Sequence, residues 1–209
     1  MTKVKICGLN TVDAITVSIA EGADFIGFVF YSKSPRHLDI EVAAYLSAFI
    51  PESVKKVGLF VDPDHDYLKQ VSNNVSLDMI QLHGQETSEE CLAIRGRFEK
   101  PIIKALSINS KDDIDSASLY DKSADWLLFD AKPEELPGGN GYTFDWSLLK
   151  HYQGETPWML AGGLTPENVQ DAINDTHPHA VDVSSGVESG RGQKDGEKIR
   201  SFLQAVKQA

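Results

Sequence analysis

Val4-Lys5-Ile6-Cys7-Gly8-Leu9-Asn10, followed after a helical stretch by Phe25-Ile26-Gly27-Phe28-Val29-Phe30, reads as one strand–helix–strand unit. The two runs are β-branched and aromatic. Between them Thr11 is a capping residue, and Val12, Ile15, Ile19 and Ala20 recur at helical spacing on one apolar face. Side chains alternate along a strand, so Lys5 and Cys7 share one face while Val4 and Ile6 share the other. A polar face at the carboxyl end of a strand is an active-site position in α/β folds. Cys7 thus reads in two ways, as a reactive thiol or as a small buried hydrophobe, the usual state of a free cysteine.

The same alternation recurs along the whole chain. Strands are predicted at Val4 to Cys7, Phe25 to Phe30, Lys56 to Val61, Met79 to His83, Ile102 to Leu106, Trp126 to Asp130, Trp158 to Ala161 and Ala180 to Ser184, with helices between them. Thr165-Pro166-Glu167 reads as a helix start, and Ile199, Phe202, Leu203 and Val206 mark the apolar face of a final helix over Gly196 to Ala209. Eight units of roughly 26 residues leave no length for a second domain, so residues 1–209 are expected to form a single (β/α)₈ TIM barrel. A doubly wound open sheet is the competing fold, disfavoured by the lack of a GxGxxG fingerprint after the first strand. Lys132 to Gly141, rich in proline and glycine, reads as a loop.

Composition limits the partners. A net charge of −11 and a pI near 4.9 argue against nucleic-acid or anionic-membrane surfaces, which need a basic footprint. Cys7 and Cys91 are far apart and form no CxxC or metal-finger spacing, so neither a disulfide framework nor a structural metal is expected. The amino terminus carries Lys3 and Lys5 with no signal-peptide run, and no apolar stretch is long enough to span a membrane, which points to the cytoplasm. Either a monomer or a homodimer is compatible with the sequence.

In a barrel all eight strands open their carboxyl ends on one face. Polar residues gather at those ends: Lys5 and Cys7, then Ser34 to His37, Gln81 and His83, Asp130, and finally Asp182 and Ser184. Each has a structural alternative, since Lys5 and Asp182 could form an ion pair inside the barrel and His83 could be a bonded core histidine. Gly162 and Gly163 follow strand seven, and Ser184, Ser185 and Gly186 follow strand eight. Loops at these two positions often hold phosphate on backbone N–H groups and a helix amino terminus, without cationic side chains.

The strings Lys5-Ile6-Cys7-Gly8-Leu9, Gly27-Phe28-Val29-Phe30, Ser34-Pro35-Arg36, Gln81-Leu82-His83-Gly84, Phe144-Asp145-Trp146, Leu160-Ala161-Gly162-Gly163-Leu164 and Val181 to Glu188 together resemble the phosphoribosylanthranilate isomerase family. Order and spacing agree from residue 3 to about residue 203. One departure is Gly138-Gly139-Asn140-Gly141, where the family usually has Gly-Gly-Thr-Gly. The resemblance implies a ribulose-phosphate-binding barrel that performs an Amadori rearrangement of N-(5-phospho-β-D-ribosyl)anthranilate in tryptophan biosynthesis, without a cofactor. It implies Asp130 as general acid and Cys7 as general base. Arg36 would bind the anthranilate carboxylate, and Gly162, Gly163, Ser184, Ser185 and Gly186 the phosphate. Asp182 would bond a sugar hydroxyl, with Lys5, Gln81 and His83 lining the same mouth. These roles require Asp130 to be raised, by an apolar setting such as Phe129 and Phe144, and Cys7 to be lowered, by Lys5. Rival readings are another phosphosugar barrel enzyme, a non-catalytic phosphosugar sensor, and a zinc enzyme using Cys7, His83 and Asp130.

Overall fold

The computed structural model describes residues 1–131 and 145–209. Its framework is a closed barrel of eight parallel strands in sequence order: β1 Lys3–Cys7, β2 Phe25–Val29, β3 Lys55–Phe60, β4 Met79–Leu82, β5 Ile102–Ile108, β6 Trp126–Ala131, β7 Trp158–Leu160 and β8 Ala180–Val183. Pairing of β8 with β1 closes the sheet, with Lys5 opposite Asp182, so no strand edge is left open. All eight predicted strands are present, their ends differing by no more than the margin usual for element boundaries.

Among the described residues seven α-helices cover the outside: α1 Val12–Ala20, α2 Ile40–Ser47, α3 His65–Asn74, α4 Ser88–Phe98, α5 Lys111–Ser116, α6 Val169–Thr176 and α7 Gly196–Lys207. Between β6 and β7 the described residues hold a 3₁₀ helix, Trp146–His151. The predicted loop Lys132 to Gly141, with Asn140, and Phe144 lie outside the described residues. Among the described residues no helix is long and apolar enough to cross a membrane.

Three local readings meet the structure differently. Thr11 caps α1 by accepting from the Ala14 N–H; of the predicted stripe Ile15 is buried, Val12 and Ile19 are half-buried against the core and Ala20 is exposed, while Ala14 and Ser18 join the buried face. Ser18 can be buried there because its hydroxyl donates to the Ala14 carbonyl at 2.7 Å. Thr165-Pro166-Glu167 is a turn, and α6 starts at Val169. Asn168 fixes that turn, accepting from the Thr165 N–H and donating to the Gly163 carbonyl. The face expected for α7 is buried in full: Ile199, Phe202, Leu203 and Val206.

Strand alternation divides the core in two. Outward side chains such as Ile6, Phe28, Phe60, Ile80, Leu127 and Phe129 pack under the helices. Inward side chains, including Phe25, Val57, Met79, Ile103, Leu128 and Met159, fill the lower barrel. The upper barrel is polar.

The barrel floor repeats one device four times. The residue preceding each even-numbered strand takes a backbone N–H of the previous strand on its side chain: Asp24 from Val4, Asp78 from Lys56 and Asp125 from Ile102, each at 2.8 Å, and His179 from Trp158 at 3.3 Å. The same four residues donate their own N–H back to Val4, Lys56, Ile102 and Trp158. The clamps fix the register of each strand pair at the end away from the polar mouth. Asp24→Ala should lower the unfolding free energy by about 1–2 kcal/mol by orphaning the Val4 N–H. Equilibrium urea denaturation checks this, and an unchanged midpoint would contradict it.

Candidate active site

Lys5 and Cys7 point into the barrel from β1. Lys5 is fully buried, and its Nζ donates to Asp182 Oδ1 across the β1–β8 seam at 2.8 Å. Burial works against its charge, but the Asp182 carboxylate and the Cys7 sulfur outweigh that and raise its pKa. Lys5 is therefore a cation beneath the mouth, with Asp182 as its partner, rather than a group exposed to a ligand. The ion pair weighed as a structural alternative is thus formed.

Cys7 sits one layer above, 4% exposed. Room for its sulfur comes from β2, since a Cβ on Gly27 would lie 3.0 Å from Sγ. The expected lowering of its pKa is not what this setting produces. Burial pushes the thiol up and Asp182 adds to that, and the opposing charges of Lys5 and Lys194 do not reverse it. The sequence shows the neighbouring cation but not the desolvation.

Across the mouth, Asp130 near the end of β6 faces His83 just beyond β4. His83 Nε2 lies 3.3 Å from Asp130 Oδ2, and His83 Nδ1 lies 2.9 Å from Gln81 Nε2. With the Gln81 amide nitrogen facing Nδ1, that ring nitrogen accepts and an N–H on Nε2 faces the carboxylate. Gln81 is fully buried, and its Oε1 has no partner among the described residues. Phe129 is not the apolar neighbour expected for Asp130. Alternation turns it outward, onto Tyr152 and Trp158.

Arg36 lies over Gly8, whose positive φ of 76° follows directly on Cys7; a Cβ there would meet Arg36 Cδ at 2.8 Å. Its guanidinium is gripped side-on by Glu188, Nε to Oε1 at 2.6 Å and Nη2 to Oε2 at 2.9 Å. Glu188 belongs to a two-stranded hairpin, β9 Glu188–Gly190 and β10 Gln193–Lys194, that sequence reasoning did not anticipate. The buried Lys194 donates to Glu188 Oε1 at 2.8 Å, to the Ser184 carbonyl at 2.9 Å and to its Oγ at 3.1 Å. Burial raises the Glu188 carboxyl, but hydrogen bonds from Arg36 and Lys194 outweigh it and hold the group at about 2. Neither Glu188 nor Lys194 lies at a predicted strand end. The signal for both was the string Gly190-Arg191-Gly192 between two charged residues, a hairpin turn placed just after β8.

The loops after β7 and β8 meet backbone to backbone. Gly162 and Gly163 have φ of 85° and 66°, and a Cβ on Gly186 would collide with the Leu164 carbonyl oxygen. No backbone N–H of Gly162, Gly163, Ser185 or Gly186 has a backbone partner among the described residues. Backbone N–H groups left without a partner at a loop are the kind of donor an anion can take up. Ser184 donates to the Cys7 carbonyl at 3.1 Å and so joins this rim to β1.

Among the described residues no three His, Cys, Asp or Glu side chains gather in a metal-holding group, so the zinc set weighed from sequence is not assembled. Cys91 is buried on α4, and burial pushes its thiol to about 11.

The arrangement has counterparts. The family described as N-(5'phosphoribosyl)anthranilate (PRA) isomerase matches residues 4–205. An N-(5'-phosphoribosyl)anthranilate isomerase of Paramagnetospirillum magneticum is 51% identical over 98% of this chain and 97% of its own. The crystal structure of phosphoribosyl anthranilate isomerase from Thermotoga maritima superposes with a TM-score of 0.89 at 38% identity, covering 100% of both chains. Another, solved in complex with reduced 1-(o-carboxyphenylamino)-1-deoxyribulose 5-phosphate, gives 0.86 at 37% identity, again over 100% of both. With a match that spans nearly its full length and the same closed barrel, the chain belongs to the phosphoribosylanthranilate isomerase family.

Proposed function

We propose that residues 1–209 act as one catalytic unit that converts N-(5-phospho-β-D-ribosyl)anthranilate to 1-(2-carboxyphenylamino)-1-deoxy-D-ribulose 5-phosphate, a step of tryptophan biosynthesis. The observation that carries this reading is the placement of Cys7 and Asp130. They lie on β1 and β6, far apart around one barrel mouth, beside glycine loops able to take a phosphate. The relative solved with a reduced phosphorylated carboxyphenylamino sugar supports the substrate class.

The chemistry follows from those positions. Asp130 gives a proton to the ring oxygen as the C1′–O bond breaks, and the aniline nitrogen donates its lone pair to form an iminium. Cys7, as thiolate, removes the C2′ proton to give an enolamine, which ketonises at C2′. One carbon is oxidised and its neighbour reduced, so the molecule as a whole keeps its oxidation state and no redox partner is needed. The two groups share one proton: a resting thiol with a carboxylate and a reactive thiolate with a carboxylic acid contain the same number. His83, aiming its N–H at Asp130, holds that carboxyl toward the sugar. The cationic iminium adds positive charge near Cys7 and opposes the burial that keeps it a thiol.

Phosphate is received by the free N–H groups of Gly162, Gly163, Ser185 and Gly186, with Ser184 alongside. Arg36 receives the anthranilate carboxylate. Asp182 remains within reach of a sugar hydroxyl, while Lys5 and Gln81 act from below.

Consumption of phosphoribosylanthranilate generated in situ, followed by loss of anthranilate fluorescence, should exceed the spontaneous rate. No excess over that rate would remove the proposal. Cys7→Ala and Asp130→Asn should each reduce kcat by about 10²–10⁴, the usual weight of a general acid or base, with a much smaller change in KM. Near-normal turnover in either variant would remove its assignment. In the Cys91→Ser background, thiolate absorbance of the free protein should report Cys7 ionising above the ordinary cysteine value, so that it is a neutral thiol at pH 7. A midpoint below that value would contradict the burial argument.

A further inference from the structure

The Arg36 guanidinium has two bidentate edges, Nε with Nη2 and Nη1 with Nη2, and among the described residues only the first has a partner. Glu188 occupies the side edge formed by Nε and Nη2. The end edge, Nη1 with the second hydrogen of Nη2, has no partner among the described residues and suits a second planar carboxylate. A lone guanidinium on a flexible stem would have to be ordered as the ligand binds, whereas one clamped beforehand does not.

What clamps it is a strap. The β9–β10 hairpin packs its turn on the β2 loop, where a Cβ on Gly192 would lie 2.6 Å from the Pro35 carbonyl oxygen. Asn10 of the β1 loop donates to the Gly192 carbonyl at 3.0 Å, and the Gly192 N–H donates to Glu188 Oε2 at the same distance. Lys194 then joins Glu188 to Ser184, and Ser184 holds the Cys7 carbonyl. A continuous chain of bonds runs from Arg36 to the backbone of Cys7.

We infer that Glu188 and Lys194 are positioning residues: Glu188 turns the free edge of Arg36 toward the aryl carboxylate of the substrate, and Lys194, through Ser184, fixes Cys7 and presents a buried cation to its sulfur. This rests on the roles given above to Arg36 and Cys7. The net charge of Arg36, Glu188 and Lys194 together is one positive, which matches one incoming carboxylate. Glu188 thus confers specificity without touching the substrate. The charged groups that act on Cys7 are Lys5 from below, Asp182 from β8 and Lys194 from the strap.

The test compares the natural substrate with its carboxylate-free analogue, phosphoribosylaniline. In the wild type, kcat/KM should favour the natural substrate. Glu188→Gln should reduce that preference at least tenfold, mainly through KM, and the charge-conserving Glu188→Asp should lose less of it. Lys194→Gln should move the Cys7 thiolate titration upward and lower kcat. A preference within about twofold of wild type in Glu188→Gln, or a Cys7 titration unmoved in Lys194→Gln, would overturn the corresponding half of the inference. Should Glu188→Gln fail to fold, Glu188→Asp gives the same reading, with an unaltered preference and an unaltered KM counting against it. Absence of any wild-type turnover would instead remove the isomerase proposal. Wild-type indifference to the carboxylate would remove the role of Arg36, so the failures are distinguishable.

Discussion

The Lys5–Asp182 ion pair is the constraint from which the rest of the site follows. It bridges the seam where the last strand meets the first, at the level where the apolar filling of the barrel gives way to polar groups. Two charges taken out of water are costly unless they meet with good geometry. Removing one partner of such a pair typically destabilises by about 3–5 kcal/mol, because the other charge is left uncompensated. The pair therefore fixes Cys7 from beneath, since Lys5 and Cys7 are alternate residues of the same strand. It also sets the electrostatics of the thiol. Burial and Asp182 favour the thiol and outweigh the Lys5 charge, which favours thiolate.

Glycine does at the rim what charge does in the interior. Gly27 leaves space for the Cys7 sulfur, Gly8 lets Arg36 lie across the end of β1, and Gly186 lets the loops after β7 and β8 touch. Any side chain at Gly186 would collide with the Leu164 carbonyl, and that contact holds two sets of free N–H groups next to each other. An acidic protein can in this way offer an anion site built from backbone dipoles, without a cluster of cationic side chains.

Much of this was legible in the sequence because it depends on local patterning. β-Branched runs at regular spacing give the eight strands. A closed barrel then brings their carboxyl ends together, which is why Cys7, His83, Asp130 and Asp182 could be assigned to one face before any contact was known. What was not legible depends on contacts between distant residues. The Arg36–Glu188 grip joins positions 152 apart in sequence, and the Lys5–Asp182 bond joins positions 177 apart. The protonation of Cys7 is not legible in the sequence, because a neighbouring lysine can be read from the string, whereas the desolvation that outweighs it comes from the whole barrel. Phe129 and Asp130 are adjacent in the string, and strand alternation places the two on opposite faces. At α6 a single hydrogen-bonding side chain, Asn168, sets the helix start beyond the Thr165-Pro166-Glu167 signal, and at α1 a bonded Ser18 joins the face that periodicity marks.

A crystal structure of this protein with reduced 1-(2-carboxyphenylamino)-1-deoxyribulose 5-phosphate tests the central claim most directly, that one barrel mouth sets a base and an acid on opposite sides of a bound sugar. The account predicts Cys7 Sγ in contact with C2′ and the Asp130 carboxyl across the sugar chain from it, with phosphate on the loops after β7 and β8. A ligand whose C2′ lies out of reach of Cys7, or whose phosphate sits away from those loops, would contradict it.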